Sequence, residues 1–461
     1  VLLSKQRNIA HISFISSLYL GISSKSMKCE KYLTVANLCD SLSVSDDTIY
    51  SWIKNRNLPA HKIGKKWFFL PDEFSRWMEE DGGATPQKQI DVPLKTVSLF
   101  SGAGGLDLGL RAAGFSVLFA NDIDKYGCDS LKAGDKELKK RVKNFQGTKI
   151  VCADIRSVSG KDILQQVPVL KKGIQLLAGG PPCQAFSVFG KRMGRDDERG
   201  QMVDEYFRIL SDLSPDVFVF ENVFGLLTVG HGEVFDLVCK KLSDPSPQLH
   251  YETKVFRLNA VDYGVPQYRD RIIIIGSRTG ASVSSIDSLT FANPSKDQLR
   301  YRNVADAFRG LPTPNTKYPA NHTGRIHGDD IIRRYSSLAP GQRDTHTRIN
   351  KLDFSRPSFT IVSGSNCGGG KGHVHPIEPR EVTPRESARI QTFPDWWSFT
   401  GTSRHPIRQE GNAVPPLLAF AIGNAIRDQI FHMEKVSLTD GIRFLSQEHL
   451  FPEFFDTEVY R

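Results

Sequence analysis

The spacing of apolar residues changes near residue 95. Beyond this point the chain contains short, unbroken apolar runs separated by segments with helical periodicity. The strands predicted from these runs are Thr96–Phe100, Ser116–Asn121, Ile174–Ala178, Val217–Glu221, Tyr251–Leu258 and Arg271–Gly276. The last run does not alternate between apolar and polar residues, which is typical of a strand buried on both faces. The pattern therefore predicts an α/β domain with a helix-covered sheet, wound like a Rossmann fold.

Residues 27–80 have a different pattern and are predicted to form a small module of their own. Thr34 can cap a first short helix, and a second periodic segment begins at Asp46. Residues 58–69 alternate in polarity and are interrupted at Gly64, so they predict a β-hairpin. Two helices joined by a tight turn and followed by a hairpin are the parts of a winged helix-turn-helix.

This module resembles the winged helix-turn-helix of phage excisionases and MerR-type regulators. The resemblance implies DNA binding, with a recognition helix in a groove and phosphate contacts from the hairpin wing. The implied contact residues are Ser45, Asp47, Thr48, Ser51 and Lys54 on the helix and Lys62, Lys65 and Lys66 on the wing. The same pattern also fits a helical protein-interaction module with a solvated basic loop, and both interpretations stay open at this point.

Composition narrows the class of protein. The chain has 461 residues, enough for two or three folding units, and its net charge of +9 favours an anionic partner such as nucleic acid. Its seven cysteines are scattered without a CxxC pair, which favours reduced thiols and predicts no metal site. The apolar run Ile9–Ile22 is too short and too polar to span a bilayer. We expect residues 1–26 to be a tail or an upstream reading frame, with Met27 as the start.

A glycine turn follows the first predicted strand. Phe100 leads into Ser101-Gly102-Ala103-Gly104-Gly105 ahead of a helix, and such a turn brings a ligand close to the backbone and to the helix N-terminus. The dinucleotide pattern G-x-G-x-x-G would need glycine where Asp107 stands, so a pyrophosphate ligand is disfavoured. Further along, Asp122 could hold ribose hydroxyls, and Asp154 could accept the exocyclic amine of adenine. The turn and the two acids in this order predict an adenosyl cofactor.

Three further segments predict a catalytic cluster. Small, rigid residues, Gly179-Gly180-Pro181-Pro182, precede Cys183, fix the direction of its thiol and leave room for a flat base. The apolar run before Glu221 delivers a carboxylate to the carboxyl edge of the sheet. Gln267, Arg269 and Arg271 alternate and would share one face of an extended segment, where they could contact phosphate or a base. A salt bridge at the strand entry is the alternative for Arg271.

The stretch from residue 97 to about residue 427 resembles the bacterial cytosine-C5 DNA methyltransferases of restriction-modification systems. The resemblance rests on five motifs in the family's order: Phe100–Gly105, Pro181–Gln184, Glu221–Val223, Gln267–Arg271 and Gln409–Pro416. It implies transfer of a methyl group from S-adenosyl-L-methionine to carbon 5 of a cytosine flipped out of duplex DNA. By the same resemblance, Cys183 attacks C6 and Glu221 hydrogen-bonds N3 and the 4-amino group. Arg269 and Arg271 would steady the base and its flanking phosphate.

The resemblance also implies which residues surround the two ligands. Those expected around the cofactor are Phe100, Gly102, Ala103, Gly104, Gly105, Asp122, Ile123, Asp154, Ile155, Pro181, Asn412 and Val414. Those expected to contact DNA are Gln184, Ser187, Gln267 and Lys371, with Lys54 and Lys65 in the N-terminal module. The family usually has Glu at the position of Asp122, so a shorter side chain has to reach the ribose here.

The expected domain division follows from these segments: a helix-turn-helix module at 27–80, a linker at 81–95, a catalytic and cofactor domain at 96–278, a target-recognition region at 279–380, a return to the catalytic domain at 381–430 and an extension at 431–461. The apolar helix after Pro416 is expected to pack on the cofactor domain. In the target-recognition region, Arg325, Arg333, Arg334 and His373 are expected to meet phosphates or guanine edges.

Two other functions are compatible with some of the same motifs. An RNA cytosine methyltransferase would use similar chemistry, but that branch usually departs from Pro-Pro-Cys-Gln, which is intact at residues 181–184. A transcriptional regulator with an inactive catalytic half would rely on the N-terminal module, but Cys183, Glu221 and Arg269 are all present. We expect duplex DNA as the partner, no membrane contact, a cytoplasmic location at the nucleoid and a restriction endonuclease as a functional partner. Autoregulation through the N-terminal module is a further hypothesis.

Overall fold

A computed structural model describes the chain in segments, with its residues falling into two compact units, Val1–Val92 and Pro93–Arg461. The described residues are 32–42, 46–55, 58–64, 66–71, 73–74, 77, 94–182, 201–280, 301–363, 372–402 and 404–452.

The N-terminal unit contains two helices and a small sheet. Its elements are β1 Leu33–Thr34, α1 Val35–Leu42, α2 Asp46–Asn55, β2 His61–Ile63 and β3 Lys66–Phe69. The backbone N–H of Asn37 donates to Oγ1 of Thr34 at 3.3 Å, and the N–H of Thr34 donates to Oδ1 of Asn37 at 2.9 Å. These bonds satisfy backbone donors at the start of α1, so the prediction of Thr34 as the cap is confirmed.

A hairpin completes this unit. β3 pairs antiparallel with both β1 and β2, and Gly64 takes the left-handed conformation (φ 63°) at the turn between β2 and β3. The helices and the hairpin share a small core of Leu38, Ile49, Leu58, Phe69, Phe74 and Trp77. The predicted winged helix-turn-helix is therefore confirmed.

The second unit is built on a sheet of seven strands. They are β4 Leu94–Leu99, β5 Phe115–Asp122, β6 Lys149–Cys152, β7 Leu176–Gly179, β8 Val217–Val223, β9 Glu252–Asn259 and β10 Asp270–Ser277. Their spatial order is β6-β5-β4-β7-β8-β10-β9. The first five in this order run parallel, whereas β10 is antiparallel to both β8 and β9. The predicted doubly wound sheet is confirmed, with the edge strand β6 and the antiparallel β10 as unpredicted features.

Helices and apolar side chains cover both faces of this sheet. The helices are α3 Gly105–Ala112, α4 Lys125–Arg141, α5 Gly160–Gln166, α6 Gln201–Leu213, α7 Glu233–Ser243, α8 Val304–Phe308, α9 Asp329–Ser337, α10 Pro384–Ile390, α11 Arg404–Asn412, α12 Pro416–Gln429 and α13 Leu438–Phe444. Ile273 and Ile275 belong to one apolar core, and Ile272 and Ile274 to the core on the opposite face. Burial on both faces explains why this run does not alternate. In the described parts of the chain, no helix combines the length and the apolar character needed to cross a membrane.

The last part of the chain returns to the first helix of the α/β unit, as the sequence predicted. α12 packs against α3 so closely that a Cβ on Gly109 would lie 2.2 Å from the carbonyl oxygen of Pro416. Both faces of the contact are apolar, with Leu108 and Leu110 on α3 and Leu418 on α12 fully buried. α12 therefore fixes the position of the motif that precedes it in sequence, Gln409–Pro416.

The strand order reverses between β4 and β7. From β4 the chain builds outward through β5 and β6 on one side, and then through β7 and β8 on the other. In doubly wound sheets, a crevice opens at the carboxyl ends of the strands at this switch point, and ligands bind there. The glycine turn after β4, Asp122 at the end of β5 and Gly180 after β7 all lie at this edge.

Candidate functional site

The glycine turn after β4 is held in an unusual backbone conformation. Phe100, Gly102 and Gly104 all have positive φ angles, of 54°, 53° and 83°. A Cβ on Gly104 would lie 2.4 Å from Cδ1 of Leu131, so a larger residue would not fit there. Nε1 of Trp397 donates a hydrogen bond to the carbonyl oxygen of Ala103 at 3.1 Å and anchors the turn from the far end of the chain. The turn is rigid and leaves its backbone close to the crevice.

Asp122 is bonded to the turn rather than left free. The N–H of Gly102 donates to its Oδ2 at 2.7 Å, and the N–H of Asp124 donates to its Oδ1 at 2.7 Å. Burial raises the pKa of Asp122, and these backbone donors oppose that rise. The adjacent Ile123 is 69% exposed, which is unusual for isoleucine and leaves an apolar surface beside the carboxylate.

Asp154 and Ile155 lie one strand further out. The carboxylate of Asp154 accepts hydrogen bonds from Nε of Arg156 at 3.0 Å and from Nη2 at 2.6 Å, and this arginine lowers its pKa. Ile155 is buried in an apolar core, and its contact with the cofactor stays a prediction. Of the remaining predicted cofactor residues, Asn412 is exposed, whereas Pro181 and Val414 are buried.

Glu221 and Arg271 form a buried ion pair at the carboxyl edge of β8. Nε of Arg271 lies 2.8 Å from Oε1 of Glu221, and the glutamate is only 9% exposed. A Cβ on Gly180 would lie 2.4 Å from Oε2 of Glu221, so this position needs glycine. Nδ2 of Asn222 donates to the carbonyl oxygen of Pro181 at 3.1 Å and ties the segment after β7 to β8. The carboxylate is therefore fixed beside Gly180 and Pro181.

Several predicted residues cannot be placed. Cys183, Gln184, Ser187, Lys65 and Lys371 lie outside the described residues, and only the backbone is described at Lys54. The description reaches Pro182, the residue immediately before Cys183, and resumes at α6.

Arg269 is placed differently from the expectation that it reaches a base or a phosphate. It is fully buried, and its guanidinium donates to the carbonyl oxygens of Ile361 at 3.0 Å, Gly411 at 2.7 Å and Ala413 at 2.8 Å. Burial, together with the neighbouring Arg271 guanidinium, lowers the pKa of Arg269. In this structure Arg269 therefore holds the Gly411–Ala413 backbone against the sheet.

Two residues expected to contact DNA are also turned inward. Gln267 is fully buried, and its Oε1 accepts the N–H of Ile361 at 3.0 Å. His373 is buried, with a ring nitrogen 3.2 Å from the carbonyl oxygen of Phe359, and burial lowers its pKa to about 4. Gln267 pairs with Ser358, and Arg269 donates to the carbonyl oxygen of Ile361, so these two residues pack against the segment 358–361, whereas Arg271 pairs with Glu221. Both side chains are buried in this conformation, and their contact with DNA stays a prediction.

The arginines expected to read DNA in the target-recognition region are paired with carboxylates. Arg325 lies 3.6 Å from Glu381, Arg334 lies 3.4 Å from Asp344, and Arg333 contacts Asp330. Beside Arg325, Ile326 is 96% exposed. The positive charges at this surface are therefore partly balanced before any ligand arrives.

Sequence reasoning missed a buried polar network under the glycine turn. The hydroxyl of Ser98 donates to Oδ1 of Asp107, and the hydroxyl of Ser101 donates to Ser98 at 2.9 Å. Asp107 is buried, its Oδ2 has no hydrogen-bond partner among the residues that the structure describes, and burial raises its pKa to about 6. The signal in the sequence was a carboxylate in the first turn of an otherwise apolar helix. Across the described segments, no cluster of three or more His, Cys, Asp or Glu side chains is arranged to hold a metal ion.

Comparisons with known proteins agree with this geometry. Residues 94–428 match the family described as C-5 cytosine-specific DNA methylase, and residues 32–82 match a helix-turn-helix domain. The chain is 33% identical over 367 residues to Type II methyltransferase M.XorII of Xanthomonas oryzae pv. oryzae, covering 72% of this chain and 84% of that protein. It is 33% identical over 431 residues to Type II methyltransferase M.PspPI of Psychrobacter sp., covering 86% of this chain and 96% of that protein.

Solved structures share the fold. One from Escherichia coli, described as a DNA modification methyltransferase encoded within a prophage, is similar with a TM-score of 0.58 and 27% identity, covering 73% of this chain and 99% of that one. The Dnmt2 methyltransferase of S. pombe has a TM-score of 0.52 at 16% identity, covering 72% of this chain and 98% of that one, which supports the fold alone.

Proposed function

Because this chain belongs to the C-5 cytosine-specific DNA methylase family, we propose that Cys183, Glu221 and Arg271 are its catalytic residues. The observation that carries this proposal is the buried ion pair between Glu221 and Arg271. The arginine occupies Oε1 of the glutamate, while Oε2 faces Gly180, three residues before Cys183 in the sequence. A carboxylate fixed in this way can meet the polar edge of a cytosine ring without rearranging.

The chemistry requires a nucleophile because carbon 5 of aromatic cytosine reacts poorly with electrophiles. We propose that the Cys183 thiolate adds to C6 and that Glu221 hydrogen-bonds N3 and the 4-amino group, stabilising the charge on the ring. Carbon 5 then carries the electron pair of an enamine and forms its bond to the methyl group. A base removes the proton from C5, and the electrons of that C–H bond expel Cys183 as the thiolate. Arg271 holds the Glu221 carboxylate in the same position during all of these steps.

S-adenosyl-L-methionine supplies the electrophilic methyl group when it is bound, and the residues at the switch point fit it. The left-handed turn from Phe100 to Gly104 exposes backbone to a ligand, and the exposed Ile123 provides an apolar surface for an adenine ring. The carboxylate of Asp122 already accepts hydrogen bonds from the N–H groups of Gly102 and Asp124. We propose that it both stabilises the turn and faces the ribose. Asp154 is proposed to face the adenine amine while it stays paired with Arg156.

The target cytosine lies inside a duplex and has to be extruded to reach this site. We propose that Gln184, Ser187 and Lys371 contact the DNA, and that residues 279–380 choose the target sequence. Arg325, Arg333 and Arg334 would have to exchange their carboxylate partners for phosphate or base edges on binding.

Trapping with a duplex containing 5-fluorocytosine tests the catalytic proposal. The fluorine cannot leave as a cation, so the ring remains bonded to the enzyme after methyl transfer. We expect a covalent protein–DNA adduct with the unaltered chain and with the matched control Cys239→Ser, and none with Cys183→Ser. An adduct formed by Cys183→Ser would refute the assignment. Equal or better methylation of a transfer RNA would instead favour the RNA-directed alternative.

We propose that the methylation protects host DNA from a cognate restriction endonuclease in the cytoplasm. Support comes from the relatives that are named type II methyltransferases. Resistance of host DNA to a set of restriction endonucleases after expression of the gene, lost in Cys183→Ser, is the expected result.

A second role is proposed for the N-terminal unit, binding of the gene's own promoter. The supporting observation is a complete winged helix-turn-helix with Lys62 and Lys66 exposed on the hairpin strands. Deletion of residues 27–93 should abolish promoter binding in a gel-shift assay, and unchanged binding would refute this role.

A further inference from the structure

Two thiols lie next to the backbone of Asp122 and Ile123 and take no part in the proposed chemistry. Cys128 is buried in the first part of α4, and Cys152 is the exposed last residue of β6. Sγ of Cys128 donates to the carbonyl oxygen of Asp122 at 3.4 Å, and Sγ of Cys152 donates to the carbonyl oxygen of Ile123 at 3.9 Å. The two side chains thus approach consecutive carbonyl groups from two different elements.

The two thiols are neighbours. They donate to the carbonyl oxygens of adjacent residues, Asp122 and Ile123, and burial together with the nearby Cys152 thiol raises the pKa of Cys128. Asp122 pairs with Cys152 in the parallel register between β5 and β6, which fixes the distance between the strands at this point. The sequence does not reveal the pair, because Cys128 lies in α4 and Cys152 lies in the next strand, β6.

From this juxtaposition we infer that Cys128 and Cys152 are a modification site, an oxidisable dithiol that closes to a disulfide and weakens binding of the adenosyl cofactor. The inference rests on the cofactor site proposed above. Its oxidant is a low-molecular-weight disulfide such as oxidised glutathione. The exposed Cys152 reacts first. The buried Cys128 then resolves the mixed disulfide slowly, because its raised pKa leaves little of it as the thiolate that attacks.

The exchange balances in two steps. The Cys152 thiolate attacks one sulfur of oxidised glutathione, the glutathione S–S bond breaks, and one glutathione leaves as the thiol after taking a proton. Cys128 then attacks Sγ of Cys152, and the second glutathione leaves with the proton of the Cys128 thiol. The protein loses two protons and two electrons, and one oxidised glutathione becomes two reduced molecules.

The structural consequence falls on the cofactor segment. A disulfide needs its two sulfurs much closer than a hydrogen bond does, so α4 and the end of β6 have to move together. Both carbonyl groups, of Asp122 and of Ile123, lose their S–H donors in the same event. Because the Asp122 carboxylate is bonded to the N–H of Gly102, the displacement also reaches the glycine turn.

The test uses the full chain carrying Cys183→Ser, which removes the proposed nucleophile as a second reactive thiol. The protein is treated with oxidised glutathione, and its disulfides are located by peptide mapping and intact mass. Titration calorimetry with S-adenosylhomocysteine then reads cofactor affinity without any need for activity. We expect a peptide cross-linked between Cys128 and Cys152, an affinity at least about tenfold lower, and recovery of both on reduction with dithiothreitol.

Three variants sharpen the result. Adding Cys152→Ser, an exposed and conservative change, should prevent both the cross-link and the loss of affinity, whereas adding Cys239→Ser should change neither. Cys128→Ser should leave glutathione attached to Cys152, and circular dichroism checks that this buried change still folds. If it does not fold, Cys152→Ser alone carries the comparison.

Each remaining outcome refutes a stated part. A pair that stays reduced, or glutathione that remains on Cys152 in the parent chain, overturns the dithiol. A disulfide that leaves affinity unchanged overturns the effect on the cofactor. If the reduced chain does not bind S-adenosylhomocysteine at all, the proposed cofactor site is wrong, and the mapping of the disulfide still stands as a separate result.

Discussion

Glu221, Arg269 and Arg271 are three buried charges whose partners differ. Glu221 and Arg271 neutralise each other, and each leaves further polar atoms for a ligand. Arg269 has no carboxylate partner among its hydrogen bonds, which all go to backbone carbonyl oxygens. The three bonds from Nη1 and Nη2 compensate for the burial of this charge, although Nε has no partner among the described residues. Arg269 therefore serves the fold, while the other two are free to serve chemistry.

Arg269→Lys tests this distinction. Lysine keeps the charge but cannot present a fork to three carbonyl oxygens, so the buried acceptors lose partners. We expect the free energy of unfolding, measured by urea denaturation, to fall by about 2–4 kcal/mol. The control Arg333→Lys, on an exposed arginine paired with Asp330, should change it by less than about 0.5 kcal/mol. Equal stability of the two variants would show that Arg269 is not a structural clamp.

Asp107 leads to a prediction about how the stability of the protein changes with pH. Burial raises its pKa to about 6, above the value of about 3.9 expected in the unfolded chain. Between these values the native state holds a proton that the unfolded state has lost, so this group makes stability fall as pH rises from about 4 to about 6. The loss is at most about 3 kcal/mol. Asp107→Asn lacks this proton, so its free energy of unfolding, measured by urea denaturation, should rise relative to that of the unaltered chain as the pH increases across this range. An unchanged profile would contradict the assignment.

At the scale of elements, local pattern predicted where strands occur but not how they pair. Apolar runs located six strands, and in the five interior strands burial on both faces demands such runs. The sixth, β9, is an edge strand with several exposed residues. β6, Lys149–Cys152, is an edge strand with exposed ends, so its four residues need no long apolar run. The antiparallel direction of β10 follows from its connection: residues 260–269 contain one short 3₁₀ helix and not the crossover helix that a parallel neighbour needs.

The contact between α3 and α12 was predicted as an apolar return, but its closeness depends on Gly109. A Cβ there would meet the carbonyl oxygen of Pro416 at 2.2 Å and Cβ of Ala419 at 2.4 Å, so the two helices would have to separate. We expect Gly109→Ala to lower the free energy of unfolding by about 2 kcal/mol, the cost of overpacking less the gain in helix propensity. Thermal denaturation measures this.

A matched control exists at Gly328, which precedes α9 with φ −74° and has open space where a Cβ would be. Gly328→Ala should lower the free energy of unfolding by no more than about 1 kcal/mol, because alanine caps a helix less well than glycine but meets no neighbouring atoms here. If Gly109→Ala were equally harmless, the α3–α12 contact would be looser than the structure indicates.

At the scale of the whole molecule, the order of motifs predicted the family and the general place of the site. Strand ends carry Gly102, Asp122, Gly180 and Glu221 to one edge because parallel strands end at the same side of a sheet. The inward direction of Gln267 and Arg269 could not be predicted, because it is set by residues 358–361 and 411–413, far away in sequence. Short-range pattern determines which residues alternate, whereas long-range packing determines which face is inside.

The division into two compact units yields the last prediction. The catalytic residues proposed here all belong to the unit beginning at Pro93, which has its own sheet and two apolar cores, so this unit should fold alone. A chain lacking residues 1–92 should keep kcat for a duplex containing its target within about twofold. It should lose the share of salt-dependent DNA affinity supplied by the wing. The full-length variant Lys62→Glu with Lys66→Glu should show the same pattern, because it removes the wing's charge without removing the unit. A truncated chain that folds but has a much lower kcat would mean that the N-terminal unit takes part in catalysis itself.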